Sequence, residues 1–312
     1  MRFDGRVAIV TGAGRGLGRA YAEFLARRGA AVIVNDPGLS AAGDAVSNSR
    51  GPADECVAAI VAAGGTAAAS YESVAHSAGA VAIAAQALRD FGRLDVLINN
   101  AGIGLDRPFA ETSAADFERL LGVHFMGTAL MCQAAWDTMR TAGYGRIVNT
   151  TSSAIFGYAN CSAYAAAKGA ILAFSRSLAL EGAPANIAVN CISPAAATRM
   201  TAGVGMDPAQ RAWMERELPP AAVAPVAAYL AHESCTLRGE VLSAAGGSVR
   251  RYLIGETAGF RAQDLTPEIL ADNLARILDP RSFAAFASAS EAVARGQALD
   301  RQPIGSAVTP PG

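Results

Sequence analysis

Short runs of β-branched and aliphatic residues recur along the chain, separated by stretches whose apolar positions repeat at helical spacing. The runs are RVAIVTG (Arg6 to Gly12), AAVIVND (Ala30 to Asp36), LDVLINNAG (Leu94 to Gly102), GRIVNTTS (Gly145 to Ser152) and IAVNCISP (Ile187 to Pro194). Their apolar character is continuous rather than alternating, which marks strands covered on both faces. Between the first two, Tyr21, Phe24, Leu25 and Arg28 fall at helical spacing within Leu17 to Arg28, and Gly29 offers a left-handed stop. This order predicts an α/β fold, a Rossmann-like doubly wound parallel sheet whose ligands sit beyond the carboxyl ends of the strands.

Two regions break the rhythm. Asp36 to Glu55 is rich in Gly, Ser, Pro and Asp and reads as a long surface loop, either a lid at the cofactor edge or an insertion without a role. Beyond GEVLSAAGGS (Gly239 to Ser248), the last strand and turn, LTPEILADNLARIL reads as one helix with Thr266 as cap, Pro267 in the first position and Glu268 in the first turn. The end, RQPIGSAVTPPG, has the composition of a disordered terminus. The expected organisation is therefore a single dinucleotide-binding domain over residues 1–254 and a partly helical C-terminal extension over 255–312.

Composition narrows the class of partner. Among 312 residues, 52% are hydrophobic and the formal net charge is −1, with no Lys/Arg clusters. That argues against a nucleic-acid or membrane-surface footprint and for small-molecule partners. Five cysteines, Cys56, Cys132, Cys161, Cys191 and Cys235, are widely separated and lack zinc-site spacing, so they read as buried thiols with no metal role. The first residues lead straight into a strand rather than a signal peptide, and no run is apolar for long enough to span a bilayer, so a cytoplasmic protein is expected.

Chemistry concentrates at three places. VTGAGRGLGRA follows the first strand and opens the first helix, with the pattern T-G-x-x-x-G-x-G through Thr11, Gly12, Gly16 and Gly18. Glycines permit the tight turn and let the backbone approach a pyrophosphate, which the helix N-terminus favours. Asp36 ends the second strand, where a carboxylate can accept from both ribose hydroxyls of an adenosine and repel a 2′-phosphate. This favours NAD, although Arg15 in the glycine turn can offset that charge or simply be solvated. Thirdly, Tyr164 and Lys168 lie four apart on one helical face, a few residues after the hydroxyl run Thr151, Ser152 and Ser153. A phenol beside an ammonium can exchange a proton with an alcohol or ketone while a nicotinamide exchanges hydride.

With the NNAG run at Asn99 to Gly102, these motifs stand in the order seen in short-chain dehydrogenases/reductases, which the chain resembles from about Phe3 to Ser248. FDGRVAIVTGAGRGLGRAYA, VIVNDPG, GVHFMGT, YGRIV, ISPAAATRM, LAHESC and LTPEILADN are similar to the (3R)-hydroxyacyl-CoA dehydrogenase branch of that family, carrying the resemblance to about Asn273. The resemblance implies Tyr164 as acid/base, Lys168 as the group that lowers its pKa and holds the nicotinamide ribose, and a serine as donor to the substrate oxygen. It implies NAD contacts from Gly12, Arg15, Gly16, Leu17, Gly18, Asp36, Ser73, Val74, Asn100, Ala101, Gly102, Ala197 and Thr198. It further implies an acyl-CoA substrate, with steroid-like alcohols as an alternative, and a homodimer or homotetramer; the apolar Ile171, Leu172 and Phe174 are expected on the outer, associating face of the Tyr164 helix.

The chain departs from the family pattern in three ways. Thr151 stands at the usual serine spacing of thirteen before the tyrosine, whereas counting from the strand through Asn149 selects Ser152. His124 replaces an asparagine that in many members kinks a helix and supports a water-mediated proton path; a buried, satisfied histidine is the other reading. SPAAAT lacks the glycine often found after its proline but keeps Thr198 for the carboxamide.

Overall fold

The computed structural model describes residues 1–44, 50–201 and 206–301. They form two compact units, Met1–Arg251 and the segment from Tyr252 onward. In the first unit the chain runs β1 (Val7–Thr11), α1 (Gly16–Arg27), β2 (Ala31–Asn35), α2 (Gly51–Ala62), β3 (Thr66–Ser70), α3 (Ser77–Phe91) and β4 (Val96–Asn99). It continues through α4 (Ala114–Leu121), α5 (Gly127–Ala142), β5 (Gly145–Thr150), α6 (Ser162–Gly182), β6 (Ile187–Ala195), α7 (Pro208–Glu217), α8 (Ala224–Leu230), β7 (Val241–Ala245) and β8 (Ser248–Arg251).

The eight strands lie in the order β3-β2-β1-β4-β5-β6-β7-β8. All pairs are parallel except β7 with β8. Every residue of β1, β4 and β5 is buried, as a sheet covered on both faces requires. Alternation then decides which helix each side chain meets. Ala8, Val10, Val32, Val34, Val96 and Ile98 pack with Tyr21 and Leu25 of α1, Ile60 of α2 and Ala227 of α8. Val7, Ile9, Ile33, Leu97 and Ile147 pack on the other face with Ile83 of α3 and Met131 and Met139 of α5.

Helix boundaries follow local chemistry. Gly29 takes a φ of 100° just after α1, and Gly92 and Gly143 likewise stop α3 and α5 in the left-handed region. Ser113 caps α4 in a reciprocal box with Asp116. Between α4 and α5 the helix widens for one π turn, Gly122–Met126, without breaking.

The strand β3 is TAAAS, whose alanines carry little β signal, and the exposed β8 exists through its pairing with β7; neither was readable as a strand. Ile171 is not on an outer face, since it is buried and only 1% exposed, while Phe174 packs partly into the core. Ile171 and Phe174 thus face inward, whereas Leu172 is half-buried and Leu180 exposed. The helix expected from Leu265 to Leu278 in the second unit is two short ones, α9 (Pro267–Asp272) and α10 (Leu274–Ile277), interrupted where Asn273 leaves helical geometry at φ −105° and ψ 9°. Its start is as expected, with the Thr266 hydroxyl accepting from the Ile269 amide and Pro267 in the first turn. This unit also pairs β9 (Gly255–Glu256) with β10 (Ala284–Ala285) and ends in α11 (Ala289–Asp300). Of the terminal run, residues 302–312 lie outside the described residues, as does 45–49 of the long loop.

Gly18 fixes how closely α1 approaches β1. A Cβ there would lie 2.2 Å from the Gly12 carbonyl oxygen and 2.6 Å from Asn100 Nδ2. Gly18→Ala is expected to cost about 1–3 kcal/mol by overpacking, read as a lowered Tm in calorimetry; an unchanged Tm would show that the turn can yield.

Candidate active site

The sheet order reverses between β1 and β4, and their carboxyl ends part to leave a crevice. Asn100 and Thr11 hold its two lips together. The Asn100 amide nitrogen donates to the carbonyls of Thr11 (2.9 Å) and Gly12 (3.1 Å), while Thr11 Oγ1 accepts from the Asn100 and Ala101 backbone amides at 3.0 Å each. The glycine turn is thereby fixed against the end of β4. Gly12 and Gly16 have φ of 63° and 56°, and a Cβ on Gly12 would lie 2.9 Å from Ala101 Cα. Helix α1 opens with no side-chain cap and no acidic residue in its first turn. Its amides are left for an anion.

A cleft of about 180 Å³ runs along this edge. Of the residues expected to hold a dinucleotide, Gly12, Arg15, Gly16, Leu17, Asp36, Ser73, Val74, Asn100, Ala101, Gly102 and Thr198 line it together. Gly18 is instead packed beneath the turn, and Ala197 lines a neighbouring cleft. Asp36 Oδ2 accepts from the Gly14 amide (2.9 Å) and Oδ1 from the Gly38 amide (2.7 Å), which aims the carboxylate and leaves further acceptor capacity on both oxygens. An uncapped helix start, a glycine turn with no room for side chains and an aimed carboxylate on one cleft fit an adenine dinucleotide. Leu39, Ser40 and Ala41 also line the cleft, and the Gly104 amide donates to the Ala41 carbonyl (2.9 Å), so the described part of the long loop borders the site.

The hydroxyl run leaves β5 toward α6. Thr151 is buried and its hydroxyl donates to the Lys168 carbonyl at 2.9 Å. Ser152 points elsewhere. Its Oγ accepts from the Ala154 amide at 3.2 Å, and its side chain lies near enough to Tyr164 to oppose the rise in the phenol's pKa. Ser153 is exposed at the start of a 3₁₀ turn. Lys168 Nζ donates to the Thr150 carbonyl at 2.7 Å and lies 5.6 Å from the centre of the Tyr164 ring. Ser152, Tyr164 and Lys168 are thus brought together. Burial pushes the Tyr164 phenol above its ordinary pKa, the nearby Ser152 working against it, and burial pushes the Lys168 ammonium down to about 7. Both shifts favour neutral groups, so lowering the phenol's pKa requires a further positive charge in the cleft.

His124 sits in the π turn, buried, with its ring edge-on to Tyr164 at 5.2 Å between centroids. Its Nε2 is 2.7 Å from the Ile103 carbonyl oxygen and 3.2 Å from the Ile103 amide. The shorter contact assigns the proton to Nε2, donating to the carbonyl, which leaves Nδ1 a buried acceptor without a protein partner. Burial, followed by the Lys168 charge, pushes the imidazole down to about 3, against the opposing bond to Ile103. A Cβ on Gly102 would lie 2.5 Å from His124 Cε1, so the loop after β4 and this ring are shaped to each other.

Sequence reasoning missed a buried polar chain behind the site. Asn99 Nδ2 donates to Asn149 Oδ1 (2.9 Å), Asn149 Nδ2 to Ser175 Oγ (2.9 Å), and Ser175 Oγ to the Ile171 carbonyl (2.7 Å), tying β4, β5 and α6 together. Its only sequence trace is a polar residue inside each apolar run. Ile103 also lines the cleft without any motif to announce it, as do Val123 of GVHFMGT and Arg199 and Met200 of ISPAAATRM, whose places in the site the motifs did not assign.

Residues 6–208 match the short chain dehydrogenase family. The chain is 43% identical over 284 residues to peroxisomal multifunctional enzyme type 2 of Mus musculus, an alignment covering 89% of this chain and 37% of that protein. The solved full-length peroxisomal multifunctional enzyme type 2 from Drosophila melanogaster superposes with a TM-score of 0.77 at 33% identity, over 96% of this chain and 50% of that one. A 7α-hydroxysteroid dehydrogenase complexed with NADH and 7-oxoglycochenodeoxycholic acid superposes with a TM-score of 0.69 at 29% identity, over 79% of this chain and 95% of that one. The chain therefore spans half or less of the two multifunctional relatives it matches.

His124 sets a pH dependence. Its folded pKa of about 3 lies below the ordinary 6.5. The unfolded chain thus binds the extra proton first, and stability is lost as pH falls from about 6.5 toward 3. Removing the titrating ring in His124→Asn is expected to flatten this part of the Tm-against-pH curve relative to the unmodified protein; parallel curves would mean that the ring does not carry this linkage.

Proposed function

The chain belongs to the short-chain dehydrogenase family of oxidoreductases acting on CH–OH groups, and we propose that it interconverts 3-hydroxyacyl-CoA and 3-ketoacyl-CoA thioesters with NAD. The observation that carries this reading is the convergence of Ser152, Tyr164 and Lys168, which do not themselves line the cleft, with Tyr164 packed with Ile103 and Val123 of its wall, next to features that fit the phosphates and ribose of a dinucleotide. Identity to multifunctional enzyme type 2 supports the acyl-CoA substrate. The fold shared with a hydroxysteroid dehydrogenase supports the second reading, a bulky secondary alcohol.

Bound NAD supplies the hydride acceptor, and the chain's own groups manage position and proton. The amides of α1 and the glycine turn hold the pyrophosphate, Asp36 the adenosine ribose, and Thr198 the carboxamide. Ser152 Oγ donates to the substrate oxygen while the Tyr164 oxygen takes its proton, and Lys168 stabilises the phenolate charge. Thr151 is poorly suited to the donor role because its hydroxyl is already spent on the Lys168 carbonyl. His124, neutral near pH 7, positions Tyr164 rather than titrating with it. A cytoplasmic homodimer or homotetramer completes the proposal, to be read by fractionation and light scattering at micromolar concentration.

Turnover should be screened with NAD and NADP against 3-hydroxyacyl-CoA esters of graded length, with hydroxysteroids alongside; turnover confined to the steroids would favour the second reading. Asp36 predicts NAD much preferred over NADP, with Asp36→Ala narrowing the gap, and equal efficiency in the unmodified enzyme would contradict this. Tyr164→Phe should lose ~10²–10⁴ in turnover while binding NADH normally. Ser152→Ala should lose ~10²–10³ and Ser153→Ala little. Thr151→Val should mainly lower Tm, by the ~1 kcal/mol of one buried hydrogen bond. If Thr151→Val is the inactive variant instead, the donor has been misassigned.

A further inference from the structure

A second cleft, about 360 Å³, adjoins the dinucleotide cleft and shares Gly16, Thr198 and Arg199 with it. Helix α7 forms one side through Arg211, Met214 and Glu215, and Met206 adds a second thioether. Among the described residues, neither Arg199 nor Arg211 forms an ion pair or a side-chain hydrogen bond; Glu215 shares the cleft with them, and Asp36 and Arg15 act on Arg199 from the dinucleotide side with opposite sign. Two guanidiniums against the one carboxylate of Glu215 give this concave wall a positive balance, arranged for an anion, which planar guanidinium forks bind best as phosphate. The segment that presents Arg199 is held firmly: the Thr198 amide donates to Thr201 Oγ1 (2.8 Å), that hydroxyl reaches the Ala196 carbonyl (2.9 Å), and the Ala197 amide donates to the Leu218 carbonyl (2.8 Å). The dinucleotide's own pyrophosphate has the amides of α1 to meet it, so Arg211, which lines only the second cleft, is surplus to the cofactor. Met206 and Met214 are adaptable apolar neighbours that suit the non-phosphate part of a flexible ligand.

We propose that this cleft receives the phosphate-bearing end of the coenzyme A thioester, with Arg211 and Arg199 on its phosphates. The site would then read the carrier rather than the acyl chain. This rests on the acyl-CoA reading above. It gives α7 a task distinct from hydride transfer: recognition energy is gathered away from the reacting carbon and is available for positioning it.

Arg211 separates the roles because it lines only the second cleft. The experiment compares KM for a 3-hydroxyacyl-CoA ester with KM for the same acyl group on N-acetylcysteamine, which lacks phosphates. Coenzyme A alone is also titrated into the NADH complex by calorimetry. Arg211→Ala is expected to raise KM for the CoA ester and Kd for coenzyme A by roughly ten- to a hundredfold, the worth of a charge-assisted bond. It should leave kcat, KM for the truncated ester and NADH affinity as they were. Arg211→Lys should recover part of the loss, Glu215→Gln should tighten coenzyme A, and all three effects should shrink at high salt. Equal KM changes on both esters, no change on either, or weakened NADH binding in Arg211→Ala would overturn the proposal. Arg211-dependent binding of coenzyme A without turnover of its esters would leave the cleft assigned and the acyl-CoA reading refuted. Turnover of CoA esters indifferent to Arg211 would do the reverse.

Discussion

The clamp between Asn100 and Thr11 is the constraint on which the site depends. Parallel strands diverge at a switch point, and the crevice is useful only if its lips keep a fixed separation. Four hydrogen bonds between the ends of β1 and β4 set that separation. They also explain the glycine turn, because a backbone pinned so close to Asn100 and Ala101 has no space for Cβ atoms at Gly12 or Gly18. The same clamp directs the chain after β4 toward His124, so the loop that lines the cleft is tied at both ends.

Behind the clamp, the buried chain from Asn99 through Asn149 to Ser175 couples β4, β5 and α6. Each polar group in it finds a partner, which keeps the cost of its burial small and makes its geometry specific. The consequence is chemical. Tyr164 and Lys168 ride on α6 and the hydroxyl run on the end of β5, so the triad's spacing is inherited from a core that cannot easily deform. Burial of Lys168 against the Thr150 carbonyl then makes its charge sensitive to what enters the cleft.

Charge is distributed around the two clefts with opposite effects. Asp36 is aimed by two backbone amides and gives its end of the first cleft a negative group. Arg15 and Arg199 line that same cleft, and Arg199 continues into the second, where Arg211 joins it. Arg199 is thus common to both clefts, on a segment that Thr201 ties together through the Thr198 amide and the Ala196 carbonyl.

Much of this was legible in the sequence because it depends on local rules. Continuous apolar runs alternating with helical patterns determined the doubly wound sheet, T-G-x-x-x-G-x-G determined the turn before α1, Asp36 the end of β2, and the four-residue spacing the shared face of Tyr164 and Lys168. Thr266 and Pro267 fixed a helix start by their own chemistry. What the sequence could not decide were contacts between residues far apart in the chain. TAAAS became β3 because Ala67 and Ala69 had β2 to pair with, and Ile171 turned inward because α6 packs against β5 and β6. The directions of Thr151 and Ser152 follow from where Lys168 and Tyr164 lie across from them. Arg199 and Arg211 met on one wall only when α7 was laid beside the segment after β6. Spacing along a chain sets which side chains share a face, whereas burial and partners are set by what the folded chain brings against that face.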